Sequence, residues 1–255
     1  MKQFGLIGYP LGHSYSKDFF TKKFNELELT DHSYDLFPVM SINRVVPLLQ
    51  QNPDLQGFNV TIPHKQTIIP FLNEVTPVAK KIFAVNTVNI TVKKGSLWLT
   101  GYNTDYIGFR DSIKPVLKEH HTRALILGTG GSSKAVAYAF EELGIEYLFV
   151  SRSSNIAQTI QYSEINESVL SMFSIIVNTT PVGMEPNINE KPEIPYELLG
   201  EKHLVFDLIY NPEETEFLKN ARLAGCETKN GVEMLNLQAE EAWKIWQNAG
   251  DFDEN

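Results

Sequence analysis

The chain has 255 residues, enough for one large domain or two domains of ordinary size. Apolar residues make up 42% of it, a share that supports packed cores and argues against disorder. The formal net charge of −9 argues against a broad nucleic-acid-binding surface. Its single cysteine, Cys226, excludes an intramolecular disulfide. No apolar leader follows Met1 and no run of about 18 apolar residues occurs, so we expect a cytoplasmic protein without a membrane span.

The first hundred residues alternate strand-like and helix-like segments. Residues 4–8 form a short apolar strand, and the aromatic residues that follow at helical spacing predict a helix. The other predicted elements are strands at 34–37, 57–62, 87–92 and 97–100 and a helix that includes 45–49. The last two strands should form a hairpin, because Gly95 in the loop between them can adopt a positive φ.

From Arg123 onward the pattern becomes regular. Apolar strands alternate with helical segments; the strands are predicted at 123–127, 147–150, 174–178 and 204–207, and the clearest helix at 133–143. Such alternation predicts an α/β fold with a parallel, doubly wound sheet and helices on both faces. A final amphipathic helix should end near Gly250. The change of pattern places a domain boundary near residue 103.

A glycine-rich run, Gly128-Thr129-Gly130-Gly131, lies between the strand at 123–127 and the helix that follows. Glycines allow backbone N–H groups to approach a pyrophosphate, and the helix N-terminus adds partial positive charge. This strand–turn–helix context favours a dinucleotide site, with Ser132 or Ser133 as the helix cap. The alternative is an ordinary βα turn, because glycine-rich turns are common.

The end of the next strand indicates which nicotinamide cofactor would bind. NAD-specific units usually carry an acidic residue there, whereas this chain has Ser151-Arg152-Ser153. A guanidinium flanked by hydroxyls suits the 2′-phosphate of NADP. The alternative is a solvated loop arginine.

The segment 59–65 is rich in groups that can do chemistry. On a strand, Asn59 and Thr61 point the same way. Pro63 suits the first position of a helix, so Lys65 is predicted in the first helical turn, where the helix dipole favours its neutral form. That suits a lysine that exchanges protons, although most lysines are solvated surface groups.

Asp105 is predicted at the start of a helix, where its simplest role is a cap. Paired with Lys65 across a cleft, it can orient and help protonate a reacting oxygen. Ser14 and Ser16 can bind a ligand anion or cap the helix that begins near Lys17, and the sequence leaves both roles open.

Several ordered segments together carry a family resemblance. They are residues 12–16, 59–65, 84–87, 101–105, 128–135, 178–184, 207–210 and 231–235, with Gln238. Over nearly its full length the chain thus resembles shikimate dehydrogenases. The resemblance implies reversible reduction of 3-dehydroshikimate to shikimate by NADPH, within aromatic amino-acid biosynthesis. It also implies an N-terminal α/β substrate domain (1–102), to which a C-terminal helix (236–255) returns, and a Rossmann-like NADP-binding domain (103–235).

The resemblance also implies roles for individual residues. Lys65 and Asp105 would be the catalytic pair. The substrate would be bound by Ser14, Ser16, Asn59, Thr61, Lys65, Asn86, Asp105, Tyr210 and Gln238. NADP(H) would be bound by Gly128, Thr129, Gly130, Gly131, Ser132, Ser133, Ser151, Arg152, Ser153, Thr180, Leu208, Gly231 and Met234.

Three features depart from the family pattern. The family usually has asparagine, arginine and threonine at 151–153 with a second basic residue nearby, so the preference for NADP is expected to be modest. Lys17 stands where proline is common, and Leu237 where histidine or alanine is common. The six histidines show no ligand spacing, so no metal site is expected.

Three other functions stay open at this point. One is an NAD-preferring quinate/shikimate dehydrogenase, which Arg152 disfavours. Another is a catalytically silent sensor of shikimate or NADP, which the presence of both Lys65 and Asp105 disfavours. The third is another two-domain Rossmann oxidoreductase such as a folate dehydrogenase, which the polar character of the predicted pocket disfavours. The expected partners are small molecules only, with neither nucleic acid nor membrane, and the protein should be a monomer or a homodimer.

Overall fold

The computed structural model describes residues 1–12, 15–153 and 158–248. The chain divides into two compact units, Met1–Thr104 with Gln238–Asn255, and Asp105–Leu237. The first break therefore follows Thr104, close to the change of sequence pattern near residue 103.

The first unit is built on a mixed six-stranded sheet. Its strands are β1 (Lys2–Gly8), β2 (His32–Pro38), β3 (Leu55–Val60), β4 (Glu74–Val75), β5 (Thr87–Lys93) and β6 (Ser96–Tyr102), and its first helices are α1 (Tyr15–Glu26), α2 (Val45–Gln51) and α3 (Pro77–Ile82). The spatial order is β2-β1-β3-β5-β6-β4. Short 3₁₀ helices lie at Ile42–Arg44 and Ile69–Phe71.

The second unit is built on a six-stranded sheet whose neighbouring strands are all parallel. Its strands are β7 (Arg123–Leu127), β8 (Glu146–Ser151), β9 (Thr159–Gln161), β10 (Ile175–Asn178), β11 (Leu204–Asp207) and β12 (Glu227–Lys229), and its helices are α4 (Asp105–Ile113), α5 (Gly131–Leu143), α6 (Glu167–Met172) and α7 (Glu216–Leu223). Short 3₁₀ helices lie at Lys114–Val116, Tyr162–Glu164 and Tyr196–Leu198. The last helix, α8 (Val232–Gln247), begins in this unit and continues into the first.

The second sheet confirms the predicted doubly wound α/β fold. Its order, β12-β11-β10-β7-β8-β9, is the strand order of the dinucleotide-binding Rossmann fold. Alternate residues of β7 face opposite sides: Ile126 packs in one core with Phe140 of α5, and Leu125 in the other with Phe217 of α7. Helices therefore cover both faces of the sheet.

The first sheet is likewise covered on both faces. Phe58 of β3 packs in a core with Val45 of α2, whereas Phe4 of β1 packs against Phe20 of α1 and Trp246 of α8. The far end of α8 is therefore an integral part of the first unit.

The predicted hairpin between β5 and β6 is confirmed. Lys94 and Gly95 both have positive φ, 51° and 78°, as a two-residue hairpin turn requires. The strand predicted at 57–62 ends earlier, at Val60, because the chain turns after Thr61. The predicted end of the last helix near Gly250 lies outside the described residues, in which α8 ends at Gln247.

No helix among the described ranges has the combination of length and apolar character that crossing a membrane requires.

The contact between β3 and α8 gives a stability prediction. The indole Nε1 of Trp246 donates to the carbonyl oxygen of Val88 at 3.0 Å, and the indole lies against Gly57. A Cβ at Gly57 would collide with this ring, so Gly57→Ala should lower the free energy of unfolding by about 1–3 kcal/mol. Gly200→Ala is the control, because a Cβ there meets nothing within 4 Å. Urea unfolding measures both, and equal stability of the two variants would contradict this packing.

Candidate functional site

A buried hydrogen-bond network lies beside the ends of β3 and β5 in the first unit. Asn59 Oδ1 accepts from the Tyr34 hydroxyl at 2.8 Å. The Asn59 amide donates to Thr87 Oγ1 at 3.1 Å and to the Asn86 carbonyl at 3.3 Å. The Tyr34 hydroxyl also forms a hydrogen bond with the side chain of Ser16 on α1. Two residues predicted to bind substrate, Ser16 and Asn59, are thus joined through a tyrosine.

Asn86 extends this network to α8. Its Oδ1 accepts from the backbone N–H of Thr104 at 2.6 Å, and its Nδ2 donates to Thr104 Oγ1 at 2.9 Å. Nδ2 also lies 3.4 Å from Gln238 Oε1. Gln238 is buried. The structure therefore brings Asn86 and Gln238 together.

Thr61 is placed by the close approach of two strands. Its N–H donates to the carbonyl of Ile7 at 2.9 Å. The Thr61 methyl group lies against Gly8, where a Cβ would collide with it. Glycine at the end of β1 thus leaves room for the Thr61 side chain.

The prediction that Lys65 lies in the first turn of a helix is wrong. Lys65 lies in a single turn, closed by a 3.0 Å hydrogen bond from the Ile68 N–H to the His64 carbonyl, and the first helical segment is the 3₁₀ helix at Ile69–Phe71. The physical reason is a tertiary hydrogen bond: the Lys65 carbonyl accepts from the N–H of Val85 at 2.7 Å, so it is not used within a helix. The buried His64 ring fixes the same turn by a 2.5 Å hydrogen bond between Nε2 and the Val39 carbonyl. The helix-dipole argument for Lys65 therefore does not apply.

Asp105 is the first residue of α4, as predicted, and it is buried. The residues before it are anchored in the first unit, since Asn103 Nδ2 donates to the Ala84 carbonyl at 2.9 Å. Lys65 and Asp105 belong to different units, so their pairing stays a prediction.

The glycine-rich loop follows β7 in the second unit. Gly128 has a φ of +109°, and a Cβ on it would lie 2.8 Å from Thr179 Oγ1. A Cβ on Gly130 would meet nothing within 4 Å. Gly130 is also the N-cap of α5 and makes no side-chain cap hydrogen bond. Open space in front of an uncapped helix N-terminus fits the pyrophosphate of a dinucleotide.

The predicted serine cap of α5 is wrong. The helix begins at Gly131, so Ser132 and Ser133 lie inside its first turn. The Ser133 hydroxyl donates to the Gly130 carbonyl at 2.6 Å instead of accepting from the helix. The N–H groups of the first turn are consequently left to other acceptors.

Ser151 ends β8, and Arg152 and Ser153 follow it with exposed side chains. The N–H of Ser153 donates to Ser151 Oγ at 3.3 Å. Arg152 lies close to Tyr162: burial raises the pKa of the Tyr162 hydroxyl, and the charge of Arg152 opposes that rise. The guanidinium is thus available at the end of the second parallel strand.

The residues predicted beside the nicotinamide converge on the ends of β10 and β11. The Thr180 hydroxyl donates to Asn178 Oδ1 at 2.7 Å, and the Leu208 N–H donates to the Asn178 carbonyl at 3.0 Å. Gly231 lies so close to Leu208 that a Cβ on it would collide with the Leu208 carbonyl. Met234 is buried in the core of the second unit. Tyr210 is half-buried and belongs to the second unit.

Sequence reasoning missed several members of the site. Tyr34, Thr87 and Thr104 are part of the first-unit network, and Asn178 and Asp207 organise the loops of the second. A signal existed for four of these residues, because each lies within a segment that carries the family resemblance: Thr87, Thr104, Asn178 and Asp207. Nothing local marks Tyr34, since its partner Asn59 lies 25 residues away along the chain.

Ser14 lies outside the described residues. Lys17 Nζ is 3.7 Å from Asp35 Oδ1, a partly exposed ion pair. Nothing in the structure explains Leu237. Within residues 1–12, 15–153 and 158–248, no group of three or more His, Cys, Asp or Glu side chains is placed to hold a metal ion.

Comparisons with known proteins agree with this architecture. The family model for the shikimate dehydrogenase substrate binding domain matches residues 6–88. A shikimate dehydrogenase (NADP(+)) of Caldanaerobacter subterraneus subsp. tengcongensis is 38% identical, with 98% of this chain and 92% of the relative covered. Shikimate dehydrogenase 1 from Peptoclostridium difficile has a TM-score of 0.85 and 36% identity over 97% of this chain and 92% of that one. The Thermus thermophilus enzyme in complex with NADP(H) and shikimate has a TM-score of 0.84 and 30% identity over 97% and 94%. Identity of this extent over nearly the whole length shows that the chain belongs to the shikimate dehydrogenase family.

Proposed function

We propose that this protein catalyses the reversible reduction of 3-dehydroshikimate to shikimate with NADPH, a step of aromatic amino-acid biosynthesis. The observation that carries the proposal is the buried network around Asn86 and Gln238. A small polyhydroxylated acid needs several short, uncharged polar contacts, and the amides and hydroxyls of this network supply them. The open glycine-rich loop of the second unit fits the cofactor.

The two units have separate tasks in this proposal. The first, which corresponds to the predicted domain 1–102 with the returning helix 236–255, binds the substrate. The second, which corresponds to the predicted domain 103–235, binds NADP(H), as the sheet order of a dinucleotide-binding fold supports.

The chain's own contribution to the chemistry is proton transfer. NADPH, when bound, supplies a hydride. Negative charge builds on the substrate's carbonyl oxygen as its carbon is reduced, and the Lys65 ammonium group donates a proton to that oxygen. Asp105 orients the reacting oxygen. In shikimate oxidation the same pair takes the proton away.

The substrate contacts are divided among several residues. Ser14 and Ser16 hold the carboxylate, whereas Asn59, Thr61, Asn86, Tyr210 and Gln238 address the hydroxyls and position the ring.

Most of the residues proposed to bind the cofactor lie just after the ends of β7, β8, β10 and β11. Backbone groups of 128–133 hold the pyrophosphate, and 151–153 hold the adenosine end, with Arg152 on the 2′-phosphate. Thr180, Leu208, Gly231 and Met234 lie along the nicotinamide side.

We further propose that the protein works in the cytoplasm as a monomer or homodimer, with small molecules as its partners. A single cysteine suits a reducing compartment.

One assay series tests the proposed function. Purified protein is given NADPH or NADH, each with 3-dehydroshikimate or 3-dehydroquinate, and cofactor oxidation is followed at 340 nm, the absorbance of the reduced nicotinamide. NADPH with 3-dehydroshikimate should give the highest kcat/KM. A preference for NADH with 3-dehydroquinate supports the quinate-type enzyme instead, and cofactor binding without turnover in every pair supports the sensor.

Replacing Lys65 tests the proton donor. Lys65→Ala should lower kcat by about 10²–10⁴-fold, because general acid–base catalysis contributes that much, while substrate affinity changes little. Steady-state kinetics and shikimate binding by calorimetry measure the two effects. Lys80→Ala, on the exposed side of α3, is the control and should match the wild type. Unchanged kcat with lost affinity would make Lys65 a binding residue.

Replacing Arg152 tests the choice of cofactor. Arg152→Ala should raise KM for NADPH by about 10-fold or more and leave KM for NADH nearly unchanged, because only NADPH carries the 2′-phosphate. Arg222→Ala, which removes an exposed arginine paired with Glu214, is the matched control. Equal weakening of both cofactors would contradict the role of Arg152.

A further inference from the structure

A buried carboxyl group at the end of β11 takes no part in the proposed mechanism. The Asp207 side chain is fully buried. Its Oδ1 accepts from Asn178 Nδ2 at 3.1 Å and from the Ile209 N–H at 3.0 Å. Its Oδ2 accepts from the Thr215 hydroxyl at 2.7 Å. Asp207 thus joins the end of β10, its own following loop and the N-cap of α7.

Burial raises the pKa of the Asp207 carboxyl to about 6, against hydrogen bonds from Thr215, Ile209 and Asn178 that lower it. Above that pH the group is a buried carboxylate. A buried charge is tolerated only while its hydrogen-bond donors stay in place. The carboxylate therefore holds its donors at fixed positions.

The first of these donors, Asn178, holds the loop after β10 in place. The Asn178 amide, oriented by Asp207, uses its Oδ1 to accept from the N–H of Thr180 at 3.1 Å and from its hydroxyl at 2.7 Å. The Thr180 Oγ1 in turn accepts from the Val182 N–H at 3.2 Å. The position of Thr180 thus depends on the Asp207–Asn178 hydrogen bond.

The second donor, the Ile209 N–H, connects Asp207 to Gly231. Ile209, whose N–H is held by Asp207, uses its carbonyl to accept from the Gly231 N–H at 3.1 Å. Gly231 also packs directly on the Leu208 backbone. The three loop residues assigned to the nicotinamide side are therefore connected to one carboxyl group.

The phosphate-binding loop has a further support from β7. Thr179, which lies against Gly128, has both its N–H and its hydroxyl bonded to the Leu127 carbonyl, at 3.0 and 2.6 Å. Gly128 also lies against the Thr180 methyl group, so the two loops are neighbours. None of the hydrogen bonds that Asp207 accepts comes from the glycine-rich loop, so that loop keeps its Thr179 support when the carboxyl group is lost.

We propose that Asp207 is a positioning residue for the nicotinamide end of the cofactor site, acting through Asn178 and Ile209. The inference rests on the proposed function, because it takes Thr180, Leu208 and Gly231 as the residues beside the nicotinamide. Its consequence is that loss of the carboxyl group disturbs hydride transfer and leaves adenosine and phosphate binding intact.

The test compares Asp207→Ala with Asp207→Asn and the wild type. An asparagine can still accept from Asn178 and Ile209 with Oδ1 and donate to Thr215 with Nδ2, so it should restore function. Ser112→Ala is the matched control, because it removes another buried hydrogen bond of this unit, from Ser112 Oγ to the Phe109 carbonyl within α4.

For Asp207→Ala we expect kcat with 3-dehydroshikimate to fall by about 10²-fold, since small misplacements of reacting groups have effects of that size. The primary isotope effect from 4-deuterated NADPH should rise as hydride transfer becomes rate-limiting. The dissociation constant of adenosine 2′,5′-bisphosphate, which lacks the nicotinamide half, should stay within about 2-fold of the wild type. Asp207→Asn and Ser112→Ala should resemble the wild type in every readout.

Two results would overturn the proposal: an Asp207→Ala variant with wild-type kcat and isotope effect, or one that loses bisphosphate binding as strongly as NADPH binding. If that variant fails to fold, Asn178→Ala is used instead, because it removes the Asn178–Asp207 hydrogen bond from the β10 side, and the same readouts apply.

If the wild type binds NADPH but does not reduce 3-dehydroshikimate, the proposed function fails. The role of Asp207 is then still decided by binding. In the variants, the dissociation constant of NADPH divided by that of the bisphosphate should rise about 10-fold.

Discussion

The side chain of Asn86 makes the contacts on which the first unit's site depends. It accepts from the backbone of Thr104, donates to the Thr104 hydroxyl and lies within hydrogen-bond distance of Gln238. These groups come from the residue before β5, the residue before α4 and the middle of α8. Because a buried amide is costly to leave unpaired, this arrangement holds three distant parts of the chain together. It also leaves short polar groups in one place, which is what a hydroxylated ligand requires.

In the second unit a carboxyl group, that of Asp207, holds separate parts of the chain together by hydrogen bonds. Asp207 and Asn178 lie at the ends of adjacent parallel strands, where the loops of a doubly wound sheet diverge. Parallel pairing sets the two side chains next to each other, and their hydrogen bonds then fix the loops beyond. The Gly128 loop takes its shape from a positive φ and from close packing against Thr179 and Thr180.

Lys65 shows how a tertiary contact changes a local interpretation. Proline followed by polar residues resembles a helix start, but the Lys65 carbonyl bonds to Val85 and His64 is anchored to Val39. The lysine is presented from a turn pinned at two points. These two hydrogen bonds fix the backbone from which the lysine side chain extends.

The sequence alone determined the elements whose signals are local. The alternation after Arg123 predicted the doubly wound sheet, Gly95 predicted the hairpin, and the glycines at 128–131 predicted the turn into α5, because periodicity and positive φ act within a few residues. Short elements such as β9 and β12 escaped detection, since three residues are too few for the two-residue alternation of a strand to stand out. Only the tertiary structure decided the network of Tyr34 and Asn59 and the turn at Lys65. Their partners lie 20 or more residues away, and burial, not local propensity, made those hydrogen bonds obligatory.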